Sequence, residues 1–383
     1  MVSRRVRRRR RQVLTGLIVV VLLIVVLVIV TGGSGPPPSS TTTTTAAAGV
    51  GGAGAGTAKG SPTVADWRGN DKAVTLAFGG DVHFEGVLAT RLAADATTAL
   101  GSAVSGLMTG SNLSMATFDA ALTNGTCPTP QSKSFIWYSP ASALTALKGG
   151  GLSLVTMATD HAEDCGPAGL QMSLSEADSA HYPVIGIGST APQAYAAYRV
   201  TVDGQRIAVI AATQIFPPNL QSAWTATATQ PGVASAADQA ALVAAVKAVR
   251  ATADTVVVDV HWGTTAQTCP NAQQVPLATA LVKAGADVVV GSGSHVQEGA
   301  GYLGRAYVDY GLGNLAFYDT QAPETYSGSL VVTVTGRHVD QTSWRPAVIA
   351  DGLPQALSGS AATTAVTRWE GLRHCSGLAA KPT

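Results

Sequence analysis

The sequence predicts an α/β layered domain, built as a two-sheet mixed β-sandwich flanked by helices. After residue 71, short apolar runs alternate with alanine-rich stretches of helical character, which is typical of layered α/β domains. Two segments have the pattern of a β-hairpin: YRVTVDGQRIAVIAA, with its central Asp-Gly pair, and SLVVTVTGRHVDQTSWRPAVI. Antiparallel strands are therefore expected beside parallel ones, and a plain parallel sheet does not fit.

The apolar runs and the stretches between them give the elements in chain order. We expect strands at residues 74–78, 113–117, 152–157, 183–187, 255–260 and 286–290. We expect helices at residues 87–108, 141–147, 168–177, 235–253 and 272–284. The segment 71–350 then forms the folded domain. The Ala/Ser/Gly-rich tail 351–383 follows it, pinned in part through Trp369 and Cys375.

The N-terminus has the composition of a membrane anchor followed by a linker. Residues 1–12 carry seven arginines and no acidic residue, and residues 13–30 are mainly apolar, roughly 27 Å long as a helix. We expect an uncleaved single-pass transmembrane anchor, with the arginines in the cytoplasm and the C-terminal domain outside the cell membrane. A signal peptide removed near residues 46–48 is the alternative. Residues 31–70, rich in Gly, Pro, Thr and Ala, are expected to form a disordered linker.

Charge and cysteine content exclude some classes of function. Without the seven N-terminal arginines, 17 basic residues remain against 23 acidic ones, a net charge near −6, so nucleic acid is not expected as a partner. The four cysteines, Cys127, Cys165, Cys269 and Cys375, lie in the part expected outside the membrane, where disulfides form. Three full pairings are possible and the spacing matches no zinc ribbon, so structural bridges are expected.

Polar side chains of the kinds that bind metal ions follow the ends of several predicted strands. Asp81 and His83 come after a buried-type strand and two glycines, Gly79 and Gly80, which are expected to let the backbone turn sharply. A carboxylate oxygen and an imidazole nitrogen at a strand end can be aimed at one cation. The residues at such positions are Asp81, His83, Asp119, Asp160, His161, His261 and His295.

These strand-end residues are expected to meet. In layered α/β folds the loops at one edge of a sheet converge, so residues distant in sequence can share a site. Burying this many carboxylates and imidazoles together without a cation would be costly. The sequence therefore predicts a divalent metal site. The other histidines, His181, His338 and His374, lack this context and are expected to face solvent or to be structural.

The motifs between residues 74 and 317 resemble those of the bacterial capsule and poly-γ-glutamate synthesis family typified by CapA, in the calcineurin-like metallophosphoesterase superfamily. The similarity lies in FGGDVHFEG, ATFDAALT, SFIWYSPASALTALKGGGLSLVTMATDH, VVVDVHWG, LATALVKAGADVVVGSGSHVQEG and GRAYVDYGLGNLAFYD. The succession of HWG, AGADVVVG and YGLGNLAF is its most specific part. The resemblance implies a calcineurin-like metallophosphoesterase fold whose loop edge holds one or two metal ions.

The resemblance also implies roles for individual residues. The implied metal ligands are Asp81, His83, Asp119, Asp160, His261 and His295. Asp119 or Asp160 would bridge two ions, with Mn, Fe or Zn as the metal. His161 and Asp160 would be the catalytic residues, and His161 would stabilise or protonate the leaving oxygen of a substrate. Lys133 could pair with a phosphate or carboxylate of the substrate, although the residues alone favour a solvated lysine.

Several residues depart from the family's pattern. Thr117 and Asp119 stand where the family has the Asn and Glu of Asn-Leu-Glu, and Thr159 and Asp160 stand where it has the two Asn of Asn-Asn-His. The family's Gly-His-His-Pro-His is here GSGSH, so an imidazole is missing at Gly293. The added negative charge at position 160 favours a cation, whereas the change at position 293 removes a ligand. Ser292 or a water molecule could take that ligand's place.

Two functions are consistent with these features. The first is a membrane-anchored, extracytoplasmic CapA-like protein of capsule or poly-γ-glutamate synthesis, with a metal-dependent phosphoesterase-type site. It would act on an anionic cell-surface polymer or a phosphoester, alongside other membrane components of a polymer synthesis system. The alternative is a non-catalytic module that binds or exports a surface polymer and has a degenerate metal site. A purely structural wall protein is least favoured, because so many polar residues stand at strand ends.

Overall fold

Residues 68–383 are described by the structure, a computed structural model. The predicted basic segment 1–12, the anchor 13–30 and the linker up to residue 67 lie outside the described residues. In the described part, no helix combines the length and the apolar character that crossing a bilayer requires. The described residues belong to one compact unit.

Residues 68–383 contain eighteen strands and nine α-helices. The strands are β1 (Val74–Val82), β2 (Leu113–Phe118), β3 (Ala121–Thr123), β4 (Tyr138–Pro140), β5 (Leu154–Thr156), β6 (Val184–Ile185), β7 (Ile187–Gly188), β8 (Tyr198–Val202), β9 (Gln205–Thr213), β10 (Gly232–Val233), β11 (Thr255–His261), β12 (Val288–Ser292), β13 (Ala300–Leu303), β14 (Ala306–Asp309), β15 (Asn314–Ala316), β16 (Tyr326–Thr335), β17 (His338–Ala350) and β18 (Leu353–Ala356). The helices are α1 (Val87–Ala94), α2 (Gly101–Met108), α3 (Ser142–Gly149), α4 (Gly166–Ser179), α5 (Ala191–Ala194), α6 (Gln221–Trp224), α7 (Gln239–Arg250), α8 (Gln274–Ala284) and α9 (Gly359–Gly371). A short 3₁₀ turn, Leu372–Cys375, follows α9.

The larger sheet, called the first sheet here, has eight strands. Their order is β18-β17-β16-β1-β2-β5-β6, and β15 also pairs with β1. β1, β2, β5 and β6 run parallel to one another, whereas β16, β17 and β18 are joined antiparallel. The parallel strands therefore place their carboxyl ends at one edge of the sheet.

The second sheet has six strands in the order β13-β14-β12-β11-β9-β8. Its four inner strands are parallel, and β8 and β13 add antiparallel edges. Both predicted hairpins are confirmed. The β8–β9 turn has Asp203 and Gly204 in the left-handed region (φ 49° and 81°), as a two-residue hairpin turn requires, and β16 and β17 turn at Gly336.

Apolar residues fill three layers around the two sheets. On β1, Leu76 and Phe78 face the core between the sheets, where Val257 and Val290 of the second sheet meet them. The residue between them, Ala77, faces the outer core that α1 to α4 cover. The outer face of the second sheet packs against α7 and α8. The order helices, sheet, sheet, helices confirms the predicted fold class.

The expected helix at 87–108 is wrong, since two helices, α1 and α2, stand in its place. Asp95 follows α1, and its carboxylate accepts hydrogen bonds from the backbone N–H and hydroxyl of Thr97 and from the hydroxyl of Thr98. An aspartate that bonds to nearby backbone offers the chain an alternative to the helix. The helix therefore ends there despite the continuing apolar pattern.

The expected turn at Gly79 and Gly80 is also wrong. β1 runs through both residues, with an irregularity in its pairing to β2 before Asp81. A Cβ atom on Gly80 would lie 1.7 Å from the carbonyl oxygen of Gly313. Glycine is needed here because two backbone segments approach closely, which lets the backbone N–H of Asp81 donate to that same carbonyl at 3.0 Å.

The C-terminal residues pack on the domain. β18 pairs with the end of β17, and the buried ring of Trp369 on α9 stacks on Trp344 with 5.2 Å between ring centroids. Disulfides Cys127–Cys165 and Cys269–Cys375 use all four cysteines. The expectation of structural bridges is confirmed, and the second bridge ties the C-terminal segment to the loop before α8.

Candidate metal centre

The carboxyl ends of parallel strands from both sheets meet at one edge, and the predicted polar residues lie there. Across the two sheets, Asp81 Oδ2 is 3.3 Å from His295 Nδ1, and Asp81 Oδ1 is 3.8 Å from His261 Nδ1. Asp81 lies near the end of β1 and His83 follows that strand. Asp119 follows β2, Asp160 and His161 follow β5, His261 ends β11, and His295 follows β12. All seven are brought together. His181 and His374 are exposed and His338 is half-buried, as predicted.

Asp119 is the least satisfied polar side chain of the centre. It is fully buried, and neither carboxylate oxygen has a hydrogen-bond partner among residues 68–383. Burial raises the pKa of Asp119, against the charges of His161 and His261, which lower it. One ligand atom each from Asp119, Asp160 and His261 lie within 4.8 Å of one another. A buried carboxylate without a donor is costly, so these three side chains fit a shared divalent cation.

His83 and Asp81 add two more free ligand atoms. His83 Nε2 and Asp81 Oδ1 are buried and have no hydrogen-bond partner in the described part of the chain. Burial, followed by the charges of His161 and His295, lowers the pKa of His83 to about 3. Its ring is therefore neutral, which is the form that binds metals. Stacking on Phe317, with 4.4 Å between ring centroids, holds the His83 ring in place.

His295 is held in a strained backbone position. Its φ of 59° lies in the left-handed region, which non-glycine residues rarely adopt. Its Nδ1 is 3.0 Å from Asn314 Oδ1 and 3.3 Å from Asp81 Oδ2. Burial opposes a charge on His295, but the hydrogen bond and charge of Asp81 and the charge of Asp119 outweigh it and raise the pKa to about 10. The loop is thus shaped to point this imidazole at Asp81.

His261 is oriented from two sides. Its Nε2 is 3.2 Å from Asp160 Oδ1, and its Nδ1 is 3.0 Å from Ser292 Oγ, which accepts a hydrogen bond from Thr117 Oγ1 at 2.9 Å. Burial lowers the pKa of His261, but the hydrogen bond of Asp160 and the nearby carboxylates raise it overall. Ser292 therefore contacts the side of His261 away from Asp160. It orients a ligand and does not take the missing imidazole's place.

Gly293 has no room for the imidazole that the sequence lacks. Its φ is 97°, and a Cβ atom there would lie 2.9 Å from His261 Nε2 and 3.0 Å from Ile215 Cδ1. The backbone N–H of Gly293 donates to Asp81 Oδ2 at 3.2 Å. At this position the chain therefore orients a carboxylate with its backbone, and a side chain would force the neighbours to move.

Asp160 is the most accessible of the candidate ligands, with 24% of its side chain exposed. Its Oδ2 lies 3.8 Å from both His161 Nε2 and Lys133 Nζ. Burial would raise the pKa of Asp160, but the hydrogen bond of His261 and the charges of His161, His261 and Lys133 lower it overall. The negative charge that replaces the family's asparagine is therefore present at the centre.

His161 is fixed by a buried carboxylate and an indole ring. Its Nδ1 is 2.6 Å from Asp164 Oδ2, and Asp164 also accepts from the backbone N–H of Trp137 at 2.6 Å. The Trp137 ring stacks on the His161 ring, with 3.8 Å between centroids and 17° between planes. Because the N–H at Nδ1 donates to Asp164, Nε2 of His161 faces the centre.

Lys133 is not the solvated lysine that its sequence context favoured. Only 10% of its side chain is exposed. Its ammonium donates to Asp164 Oδ1 at 2.8 Å and to the carbonyl oxygen of Asp160. The charge of Lys133 therefore balances the acidic loop between residues 160 and 164, and its contact with a substrate stays a prediction.

Sequence reasoning missed four residues of this centre. Asn314 lies in YGLGNLAF and Trp137 in SFIWYSP, two segments that already carried the resemblance, whereas Asp164 lies three positions beyond His161, where such a segment ends. The contact of Trp137 with His161 could not be predicted, because it depends on the path of a loop. Asp259 lies two residues before His261 and so on the same face of β11; it is buried, and burial raises its pKa to about 8.

The family model described as "Bacterial capsule synthesis protein PGA_cap" matches residues 75–319. The capsule biosynthesis protein CapA of Bacillus anthracis is 30% identical over 175 residues, which are 45% of this chain and 42% of that protein. The PGA biosynthesis protein CapA of Bacillus subtilis is 30% identical over 176 residues, 46% of this chain and 45% of that protein. The matched segment thus spans less than half the length of these curated relatives.

Among solved structures, a phosphatase from Mycoplasma pneumoniae is similar, with 12% identity and a TM-score of 0.46. The match covers 72% of this chain and 94% of that protein.

Proposed function

This chain belongs to the family of bacterial capsule synthesis proteins, and on that premise we propose that it is a metal-dependent phosphoesterase-type protein of cell-surface polymer synthesis. The observation that carries the proposal is Asp119, a fully buried carboxylate whose two oxygens have no partner among the described residues. Histidine nitrogens and further carboxylate oxygens surround it. Nitrogen and oxygen ligand atoms of this kind are suited to Mn, Fe or Zn.

The ligands would be the carboxylates of Asp81, Asp119 and Asp160 and the imidazoles of His83, His261 and His295. His261 and His295, whose pKa the nearby carboxylates raise despite burial, would each release a proton when the metal binds. A divalent metal bound by them would lower the pKa of a water molecule toward neutrality and polarise a phosphoryl oxygen. The water oxygen would form a bond to phosphorus and release one proton to solvent, while the bond from phosphorus to the leaving oxygen breaks.

His161 is placed to complete this reaction as the proton donor. Asp164 holds its Nδ1–H at 2.6 Å, so Nε2 can carry the proton that passes to the leaving oxygen. The Trp137 ring covers one face of the imidazole and limits the access of water. Lys133 offsets the charge of Asp164 at 2.8 Å, which keeps this loop closed around His161.

Turnover of simple phosphoesters tests the proposal. The full-length chain in detergent should hydrolyse p-nitrophenyl phosphate or bis-p-nitrophenyl phosphate when supplied with Mn²⁺, Fe²⁺ or Zn²⁺, and excess chelator should abolish it. His161→Asn should lower kcat by about 10²–10⁴-fold while Mn²⁺ still binds, because general acid catalysis contributes on that order. His181→Asn, which changes an exposed histidine outside the centre, is the matched control.

The competing function is a non-catalytic module that binds a surface polymer, and the glycine at position 293 favours it because one family ligand is lost. Metal binding without turnover of either ester would support this alternative against the phosphoesterase. Turnover that His161→Asn leaves unchanged would show that the proton donor is assigned wrongly.

A further inference from the structure

Two exposed aromatic side chains lie beside the metal centre. Among residues 68–383 five large apolar side chains are exposed, namely Val87, Phe135, Tyr138, Val275 and Tyr318. Two of them have ring contacts with the centre. Phe135 lies 6.0 Å from the ring of Trp137, and Tyr318 lies 5.1 Å from the ring of His83.

Exposed apolar side chains that lie close together mark binding sites, whereas single exposed apolar residues are common on any surface. We call Phe135 and Tyr318, whose rings both lie within 6.2 Å of the Trp137 ring, the aromatic rim. Val275, another of the five, lies on α8, in the helical layer of the second sheet.

The rings also form a path that leads outward from the proposed proton donor. His161 stacks on Trp137 at 3.8 Å, and Phe135 follows at 6.0 Å from Trp137, with 60% of its surface exposed. If His161 protonates the leaving oxygen, the substrate group attached to that oxygen must lie next to His161. From His161, ring contacts then run along Trp137 to Phe135 and also from Trp137 to Tyr318, at 6.0 Å and 6.2 Å between ring centroids.

The charges at the rim limit what that group can be. Burial raises the pKa of Tyr318, and the charges of Asp319, Glu85 and Asp119 raise it further. The ammonium of Lys133, two residues before Phe135 in the sequence, is held by Asp164 and the backbone of residue 160. A negatively charged leaving group would meet like charge here, whereas an uncharged ring would gain contact with the aromatic faces.

We propose that the substrate is a phosphoester whose leaving group carries an uncharged ring, and that Phe135 binds this ring at the aromatic rim. The inference rests on the proposed phosphoesterase function and adds to it the class of leaving group. A site of this kind differs from one that binds a polyanionic chain such as poly-γ-glutamate through the negative charges of that chain.

Binding of three phosphonates tests the inference without any turnover. The full-length chain in detergent, saturated with Mn²⁺, is titrated by calorimetry with phenylphosphonate, methylphosphonate and 2-carboxyethylphosphonate. Phenylphosphonate should bind roughly threefold to tenfold more tightly than methylphosphonate, the range that one aromatic contact supplies. The carboxyethyl compound should bind more weakly than methylphosphonate.

Two variants locate the effect. Phe135→Ala should remove most of the preference for phenylphosphonate while affinity for methylphosphonate is unchanged; the side chain is exposed, so folding is not at stake. Val275→Ala, with 40% of that side chain exposed on another face, should keep the preference.

Equal affinities for the phenyl and methyl compounds, or a preference that survives Phe135→Ala, would overturn the inference and leave the proposed function standing. Failure of Mn²⁺ itself to bind in the same titrations would overturn both.

Discussion

At the scale of single residues, the centre differs from its family's pattern in a connected way. Thr117 and Ser292 are small hydroxyl residues at two positions where the sequence departs from the family's pattern. Thr117 donates to Ser292 Oγ, which in turn contacts Nδ1 of His261. Gly293 has no room for a side chain, because His261 and Ile215 lie too close to it. The sequence reveals that an imidazole is missing, but not this hydrogen-bonded chain. His261 and Ser292 are paired on β11 and β12, and Thr117 on β2 reaches them only when the two sheets pack.

Ser292→Ala should lower the affinity for Mn²⁺ by about 10-fold or more, because groups that orient a metal-binding histidine are worth on the order of 10–100-fold. Isothermal titration of the full-length chain measures this. Ser294→Ala is the matched control, since its Oγ donates to the carbonyl oxygen of Val296 at 3.0 Å and does not contact His261. Equal Mn²⁺ affinity in wild type and Ser292→Ala would contradict the orienting role.

At the scale of elements, the ends of strands were more predictable than the loops between them. Apolar runs predicted the strands that carry Asp81, Asp119 and His261, because buried strands need such runs. The end of α1 was not predicted, because it depends on the side-chain bonds of Asp95. The loop that carries Lys133 and Trp137 was not predicted either, since its path is set by Asp164 and by a disulfide whose pairing the sequence left open.

Removing the Cys127–Cys165 disulfide should affect the centre, because Cys165 directly follows Asp164, which holds His161. The double variant Cys127→Ser/Cys165→Ser should lose about 2–4 kcal/mol of unfolding free energy. It should also lose turnover at a temperature where it is still folded. The comparison is Cys269→Ser/Cys375→Ser, which should lose stability alone. Denaturant unfolding and hydrolysis, measured side by side, check this; equal loss of turnover in both would contradict it.

At the scale of the whole molecule, two mixed sheets bring the parallel strand ends of two chain segments to one edge. The alternation of apolar and helical segments predicted this architecture, and the hairpins predicted that the sheets would be mixed. Which face of each sheet is inner could not be predicted, because buried strands are apolar on both faces. The membrane anchor and the location outside the cell stay predictions, since they depend on residues before 68.

Buried carboxyls give the folded domain a dependence on pH. Glu298 is buried, and burial raises its pKa from 4.5 to about 8. The side-chain amide of Gln274 donates to Glu298 Oε2 at 2.9 Å. Between these pH values the folded state holds a proton that the unfolded state releases, so the free energy of unfolding falls as pH rises. Glu298→Gln should reduce this fall between pH 5 and 8, measured by urea unfolding. A slope as steep as in wild type would contradict this account of Glu298.

The central claim is that the strand ends hold a divalent metal through Asp119. Metal content measured by mass spectrometry on the purified, dialysed full-length chain tests it most directly, with circular dichroism confirming that each sample is folded. We expect at least one equivalent of Mn, Fe or Zn in wild type and a small fraction of that in Asp119→Ala. A folded wild-type chain that retains no metal and binds none on titration, or an Asp119→Ala variant that retains as much, would contradict the claim.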